Sequence, residues 1–392
     1  MKILLLAPHP FYQERGTPIA VDLLLRFLSE RGDTVDVVTF HEGENRSYPG
    51  VTILRTPRLS WIKNVPPGFS WRKIACDFFL VIKALRLAAR NKYQIVHAVE
   101  EAVFCAMMIR FIFRVPYVFD MDSSMPMQMI ERSSALSAAA PMLKVFERWA
   151  AHRAFAVVAV CEALAEIARD AGARRVFVLR DISLLSSGFA ESLSATEAEK
   201  QHLNIEHPCF MYIGNLEKYQ GVDLLLESFA ILIKSIPRAF LAIIGGNKSL
   251  IKQYQQKSAA LGIVEKARFF GPRPLASMAN MFAQADILVS PRVKGTNTPM
   301  KIYSYLQSGK PILATDMPTH TQVLSRTTAM LADPSPDKFA AAMLKLLQDP
   351  DMGRRLAECA AVLAEQQYSW NAYKATAAKI FSRIETDLTD QG

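Results

Sequence analysis

Three cations, a glycine and two threonine hydroxyls crowd one short stretch of this chain, Pro291-Arg292-Val293-Lys294-Gly295-Thr296-Asn297-Thr298-Pro299-Met300-Lys301. An apolar run over 287–289 ends at it, and a new helix is predicted to open at Pro299, a residue suited to a first helical turn. Unsatisfied N–H groups at such a turn point outward and favour an anion. Arg292, Lys294 and Lys301 add positive charge around it. The chemistry these residues fit is diphosphate binding between a strand end and a helix start. They fit equally an ordinary strand–loop–helix joint with surface lysines, and the stretch alone leaves both readings open.

Further polar clusters sit where other apolar runs stop. Ala7-Pro8-His9-Pro10 closes the first run, and Glu14-Arg15-Gly16-Thr17-Pro18 leads into a helix predicted over 19–31. Gly16 permits close backbone approach and Arg15 is placed for a phosphate or an acceptor. His97-Ala98-Val99-Glu100-Glu101 and Asp120-Met121-Asp122-Ser123-Ser124 end two later runs. Carboxylates and hydroxyls at such points serve as a general base or bind sugar hydroxyls; Asp122 or Ser123 also suits a helix cap. His97 reads either as ligand-facing or as a satisfied core histidine. Gly214-Asn215, Gly245-Gly246 and Gly271-Pro272-Arg273 mark three more strand ends where a flat or anionic ligand can approach the backbone.

What positions these clusters is an alternation of short apolar runs with helical stretches. Runs at 3–6, 35–40, 51–54, 95–96, 117–119, 157–160 and 176–179 predict one parallel sheet covered on both faces. The rhythm breaks over 186–207, read as a linker, and restarts at 210–213, 240–244, 268–270, 287–289 and 312–314. The expected organisation is therefore α/β: an N-terminal Rossmann-like domain over 1–185, a C-terminal one over 208–368, and a last helix over 369–392 that crosses back. Ligands of such sheets bind beyond the carboxyl ends of the strands, so the clusters are expected to share an interdomain cleft.

The 392-residue chain, 51% hydrophobic and 21% charged, suits two globular domains. Five scattered cysteines argue against a disulfide framework or zinc site and for a reducing compartment. The first residues read as a buried strand rather than a signal peptide, and no run is long enough to span a bilayer. Of the net charge of +9, residues 1–185 carry 24 Lys and Arg against 18 Asp and Glu. Between Trp61 and Lys92 seven basic residues and one acid, Asp77, alternate with Trp61, Phe69, Trp71, Phe78 and Phe79. That mixture suits an anionic membrane surface or a solvated helix with inward aromatics. No nucleic-acid module is visible, so nucleic acid is not an expected partner.

Taken in order, the loops resemble the retaining glycosyltransferases of family 4, which have the GT-B fold. The likeness rests on Gly16, Gly214-Asn215-Leu216, Gln220-Gly221-Val222-Asp223, Ile243-Ile244-Gly245-Gly246, Phe270-Gly271, Ala285-Asp286-Ile287, Gly309-Lys310-Pro311 and Tyr368-Ser369-Trp370. The resemblance implies a nucleotide-sugar donor held mostly by the C-terminal domain, a lipid-linked or saccharide acceptor held by the N-terminal one, and no metal or other cofactor. It places the donor among Gly16, Thr17, Gly214, Asn215, Gly246, Arg273, Arg292, Lys294, Asn297, Thr298, Pro299, Lys301 and Ser304. From their own place at the strand ends, Arg15, His97 and Glu100 are read as acceptor contacts and Asp122 and Asp120, with Lys301, as catalytic residues. The chain departs from the family at Asn215 and Gln220, where an Arg and a Lys are usual, and at Thr296 and Ser304, where two Glu are usual. Asp122 stands for a usual His, and Arg180-Asp181 for a usual Pro-Asn. Thr298-Pro299-Met300-Lys301 resembles a Thr-Pro-Leu-Lys variant of bacterial polysaccharide and lipid glycosyltransferases. The expected location is cytoplasmic, at the inner membrane face. Two other readings compete: a non-catalytic nucleotide-sugar-binding subunit, and a metal-dependent sugar deacetylase suggested by His9-Pro10, whose usual acids are replaced by Phe11 and Tyr12.

Overall fold

A computed structural model describes residues 1–59, 61–63, 65, 70–126, 140–185 and 205–390. Phe69 and most of the expected linker lie outside the described residues. The chain forms two compact units, Met1–Arg180 with Lys374–Gly392, and Asp181–Tyr373.

The first unit holds a seven-stranded sheet in the order β3-β2-β1-β4-β5-β6-β7. Its strands are β1 (Lys2–Ala7), β2 (Thr34–Thr39), β3 (Val51–Arg55), β4 (Ile95–Val99), β5 (Tyr117–Met121), β6 (Ala156–Ala159) and β7 (Val176–Val178). Every pairing is parallel. The apolar runs are short and continuous because both faces are covered. Helices Trp71–Arg90, Val103–Phe113, Ala140–Arg153 and Glu162–Asp170 bury Cys76, Leu80, Ala106, Ala150 and Leu164 with Leu4, Leu6, Val96 and Phe119 on one face. On the other face helix Gly16–Glu30 meets the chain's last helix, Trp370–Thr389, where Phe27 and Phe381 pack with ring centres 5.7 Å apart.

The second unit repeats the plan with six parallel strands, ordered β10-β9-β8-β11-β12-β13. They are β8 (Cys209–Ile213), β9 (Phe240–Ile244), β10 (Ala267–Gly271), β11 (Ile287–Ser290), β12 (Ile312–Thr315) and β13 (Met330–Ala332).

Two helix starts differ from expectation. Pro18 does not open its helix, which begins at Gly16; Pro18 is the third helical residue, where a missing N–H costs nothing. The helix expected from Pro299 begins at Lys301, after a turn closed by the Ile302 N–H donating to the Pro299 carbonyl at 2.9 Å. It runs only to Gln307, so its dipole is slight and the charge at this point comes chiefly from side chains.

Candidate active site

In the second unit the strand order reverses between β8 and β11. The loops after these two strands diverge there and leave room above the carboxyl edge of the sheet. The β8 loop carries Gly214, Asn215 and Gln220, and the β11 loop carries 291–300.

Lys301 turns its ammonium toward the β8 loop. Its Nζ lies 3.9 Å from the centre of the Tyr212 ring and 3.3 Å from Gln220 Oε1. Gly214 makes the space: a Cβ there would sit 2.9 Å from the Tyr212 hydroxyl and 3.1 Å from Lys301 Nζ, and its φ of +154° is one that side chains rarely adopt. Among the described residues no carboxylate pairs with this lysine. Burial first, and the neighbouring Arg292 second, hold its pKa well below the ordinary lysine value. An anion placed against Nζ restores the charged form.

Arg292 has a different task. It is buried, lies over the Tyr219 ring at 5.2 Å, and ties its own loop together. Nε donates to the Lys294 carbonyl at 2.7 Å, and Nη1 and Nη2 donate to the carbonyl and Oδ1 of Asn297 at 3.2 and 3.0 Å. Gly295 beside it has a φ of +113°, which side chains rarely adopt, and a Cβ there would also displace the guanidinium, standing 2.1 Å from Nη2. The expected crowd of three cations is thus divided: Arg292 braces the loop, Lys294 is exposed, and Lys301 points inward. The Thr298 hydroxyl is buried and has no partner among the described residues, and Pro299 is buried beside it. A buried orphan of this kind calls for a ligand or a water.

Ser304 departs from the expectation that it contacts the donor. It is fully buried, and its Oγ accepts the Leu184 N–H at 3.2 Å, so the hydroxyl serves packing. Asn215 is exposed and shapes the loop, accepting the Glu217 N–H at 3.2 Å. Gly246 precedes Asn247, whose side chain caps helix Lys248–Ala260 by accepting the Leu250 N–H at 2.9 Å. Arg273 is exposed after β10.

Two residues were missed. Gln220 is buried and receives Lys301, at the position where the resemblance expected a cation. His320 is fully buried behind the same loop: Nδ1 donates to the Thr315 carbonyl at 3.0 Å, so Nε2 accepts from Ser290 Oγ at 2.9 Å. Burial, aided by Lys301 and Arg292, lowers its pKa to about 3, so it is neutral and locks the ends of β11 and β12. No local signal marked it, for its neighbours Met317-Pro318-Thr319 show only a helix start.

In the first unit the reversal falls between β1 and β4. Glu100, just after β4, has a φ of +48° and accepts from Ser123 Oγ at 2.8 Å. Burial first, then the adjacent Glu101, raise its pKa, while Lys73, ion-paired to Glu101, opposes the rise. The same burial and Glu101 push Asp77 to about 8. Arg15 stands at the start of its helix; burial lowers its pKa and Glu100 and Glu42 counter that, so the β1 and β4 loops bring opposite charges together. Gly16 and Thr17 follow at the helix start, and a Cβ on Gly16 would meet nothing within 4 Å. Ser124 Oγ and the Met125 N–H both donate to buried Glu147 at 2.8 Å.

His97 is not an acceptor contact in this structure. It is 1% exposed, stacks on Phe381 at 6.0 Å, and its Nε2 lies 2.9 Å from Asp120 Oδ2. Asp120 is accordingly the partner of a core histidine, whereas Asp122, two residues further on and just past the end of β5, is half-buried. His9 is buried with Nδ1 on the Pro10 carbonyl at 3.1 Å, and burial lowers its pKa to about 3.

Residues 15–180 match the model of glycosyltransferase family 4, and residues 194–362 that of the glycosyl transferases group 1. The chain is 23% identical over 382 residues to sulfoquinovosyl transferase SQD2 of Arabidopsis thaliana, covering 94% of this chain and 71% of that one. In fold it is similar to sucrose-phosphate synthase from Thermosynechococcus elongatus, with a TM-score of 0.80 at 16% identity over 98% of this chain and 99% of that one. It is also similar to HepE of Anabaena in complex with UDP-glucose, with a TM-score of 0.74 at 18% identity over 98% and 100% of the two chains.

Proposed function

The chain belongs to the family 4 glycosyltransferases and has their GT-B fold, and from that premise we propose that it moves a sugar from a nucleotide-diphosphate donor to a lipid-linked or polysaccharide acceptor, keeping the anomeric configuration. The observation that carries this reading is Lys301: a buried amine with no carboxylate partner among the described residues, aimed at the glycine loop of β8, whose charged form a bound diphosphate restores. When the glycosidic bond breaks, the nucleotide diphosphate leaves with increased negative charge. A cation held by Tyr212 and Gln220 before the reaction gains more attraction in that transition state than in the ground state. Arg292 keeps the β11 loop in shape, and the Thr298 hydroxyl supplies a further donor. In this reading Lys301 replaces the cation absent at Gln220, and no metal is needed for the leaving group. The acceptor lies with the first unit, near Arg15, Glu100 and Asp122, with Asp122 the candidate base. HepE binds UDP-glucose, which makes UDP the first nucleotide to try.

Thermal denaturation of the wild type and Lys301→Ala with UDP, GDP and ADP tests it. A specific nucleotide at about a hundred times its Kd adds about 2.7 kcal/mol, a shift of several degrees. We expect one nucleotide to shift the wild type and to fail with Lys301→Ala; no shift with any of the three overturns the reading. A second reading, a binding subunit without turnover, is favoured by Thr296 and by the packed Ser304 at the two positions where Glu is usual. Measurable donor hydrolysis or transfer by the purified protein disposes of it.

The location proposed is the cytoplasmic membrane surface, on the strength of the basic and aromatic segment from Trp61 to Lys92. Trp61 and Trp71 are exposed there and stack with centres 5.7 Å apart. Among the described residues no helix is long and apolar enough to cross a membrane.

A further inference from the structure

The first unit presents two features that the transfer reaction does not use. One is apolar. Helices Trp71–Arg90, Val103–Phe113 and Ala140–Arg153 lie side by side on one face of the sheet, and each carries a stripe of large apolar residues turned to solvent. The stripes are Trp71, Ile74 and Phe78; Met108, Phe111 and Ile112; and Met142, Val145, Phe146 and Trp149, with Phe111 89% exposed. Spacings of three, four and seven residues are those of a buried helix face. Outside this layer and the adjoining Trp61, only Val264 and Val362 are large, apolar and exposed among the described residues, so the pattern is a patch and not ordinary scatter.

The other feature is charged. At the opposite edge of the sheet from the candidate active site, before the starts of β4 to β7, lies a cavity of about 820 Å³. Arg110, Arg114, His152, Arg153, Arg174 and Arg175 line it, against one carboxylate, Glu385. Glu385 is already 3.3 Å from Arg31, and the nearby Asp387 is engaged by Arg175 at 2.6 Å and by Arg383 at 3.0 Å. Arg110 donates to the Arg153 carbonyl, and His152 Nδ1 to the Gly172 carbonyl at 3.1 Å. Arg114, Arg153 and Arg174 have no side-chain partner among the described residues. Cations at the ends of helices Val103–Phe113 and Ala140–Arg153 are partly explained by the helix dipole, but Arg114, Arg174 and Arg175 lie outside both helices. The volume is that of a small-molecule site rather than of a lone ion.

The two features meet, because the helices that carry two of the apolar stripes end at the cavity. We propose that this cavity takes the phosphate headgroups of anionic lipids while the stripes of the three helices enter the adjacent acyl region, so that the first unit lies on the bilayer along this helix layer. The anionic bilayer is the occupant that fits both an apolar stripe and an excess of unpartnered arginine beside it. The inference deepens the membrane location proposed above and rests on it, but it is independent of donor, acceptor and turnover.

Co-sedimentation of the full chain with vesicles of phosphatidylcholine alone, or with phosphatidylglycerol added, tests it without any substrate. We expect binding only to the anionic vesicles, weakened by salt. Arg114→Ala/Arg153→Ala/Arg174→Ala and, separately, Phe111→Ser/Val145→Ser should each lower the partition coefficient by roughly tenfold or more, with unchanged circular dichroism and an unchanged nucleotide-induced thermal shift. Wild type that ignores anionic vesicles overturns both the membrane location and this site. Wild type that binds while both variants bind equally well overturns the site and leaves the location standing. Arginine-dependent binding of pyrophosphate without vesicle binding overturns the lipid assignment in favour of a soluble phosphate ligand. Concentration-dependent dimerisation lost in Phe111→Ser/Val145→Ser, with no vesicle binding, overturns it in favour of a second copy of the chain.

Discussion

At the scale of single residues, the site depends on where a cation is placed rather than on how many are present. Arg292 and Lys294 look equivalent to Lys301 in the sequence, yet one braces a loop, one is exposed, and only Lys301 is buried against the β8 loop. Its lowered pKa gives the lysine a thermodynamic signature. Because the folded-state value lies below the unfolded one, the unfolded chain holds more protons over that window, and stability rises with pH through it. A bound diphosphate raises the pKa again, so binding takes up protons and affinity falls as pH rises above the shifted value. Calorimetric titration of the cognate nucleotide in two buffers of different ionisation enthalpy should show that uptake in the wild type and none in Lys301→Met. The same substitution should weaken binding by about 1.5–3 kcal/mol, the range for a hydrogen bond to a charged group. Uptake that persists in Lys301→Met would assign the proton to another group.

At the scale of elements, the chain's last helix gives the clearest test. Trp370–Thr389 supplies Phe381, 1% exposed, which packs on Phe27, stacks on His97 and lies 5.5 Å from the Arg31 guanidinium. Phe381→Ala should cost the first unit about 3–5 kcal/mol, lowering its calorimetric transition by roughly ten degrees for a unit of this size. The nucleotide-dependent transition of the second unit should stay where it was; a fall in both would mean that the units melt together. The strands were legible in the sequence because a parallel sheet covered on both faces demands short, unbroken apolar runs, and Ile3 to Leu6 or Phe240 to Ile244 allow little else. Loop positions followed from the same punctuation. Side-chain direction was not legible. Nothing local distinguishes Ser304, turned to Leu184 N–H, from a ligand-facing serine, or shows that His97 faces Phe381 from 284 residues away. The contact of Lys301 with Gln220 joins positions 81 residues apart and exists only because β8 and β11 are neighbours.

At the scale of the whole molecule, the two units differ in how the chain builds them. The first is discontinuous, completed by residues from Lys374 onward, while the second is the single stretch Asp181–Tyr373. That stretch closes on itself: the Ser183 N–H donates to the Tyr368 carbonyl at 3.0 Å, and Trp370 stacks on Tyr373 at 5.5 Å, so both of its ends are held within it. It also contains Gly214, Gln220, Arg292, Thr298 and Lys301, all the groups assigned to the diphosphate. A fragment of residues 181–373 should therefore fold and bind the cognate nucleotide within roughly fivefold of the full chain, a difference of about 1 kcal/mol. It should catalyse nothing, since Arg15, Glu100 and Asp122 are missing. A folded fragment with nucleotide affinity reduced a hundredfold, nearly 3 kcal/mol, would return part of the donor to Gly16 and Thr17 of the first unit. The converse fragment, residues 1–180, lacks the helix that covers Phe27 and His97 and should expose that face; adding the 374–392 peptide in trans should restore its cooperative unfolding, because the missing surface is one contiguous helix face rather than scattered contacts.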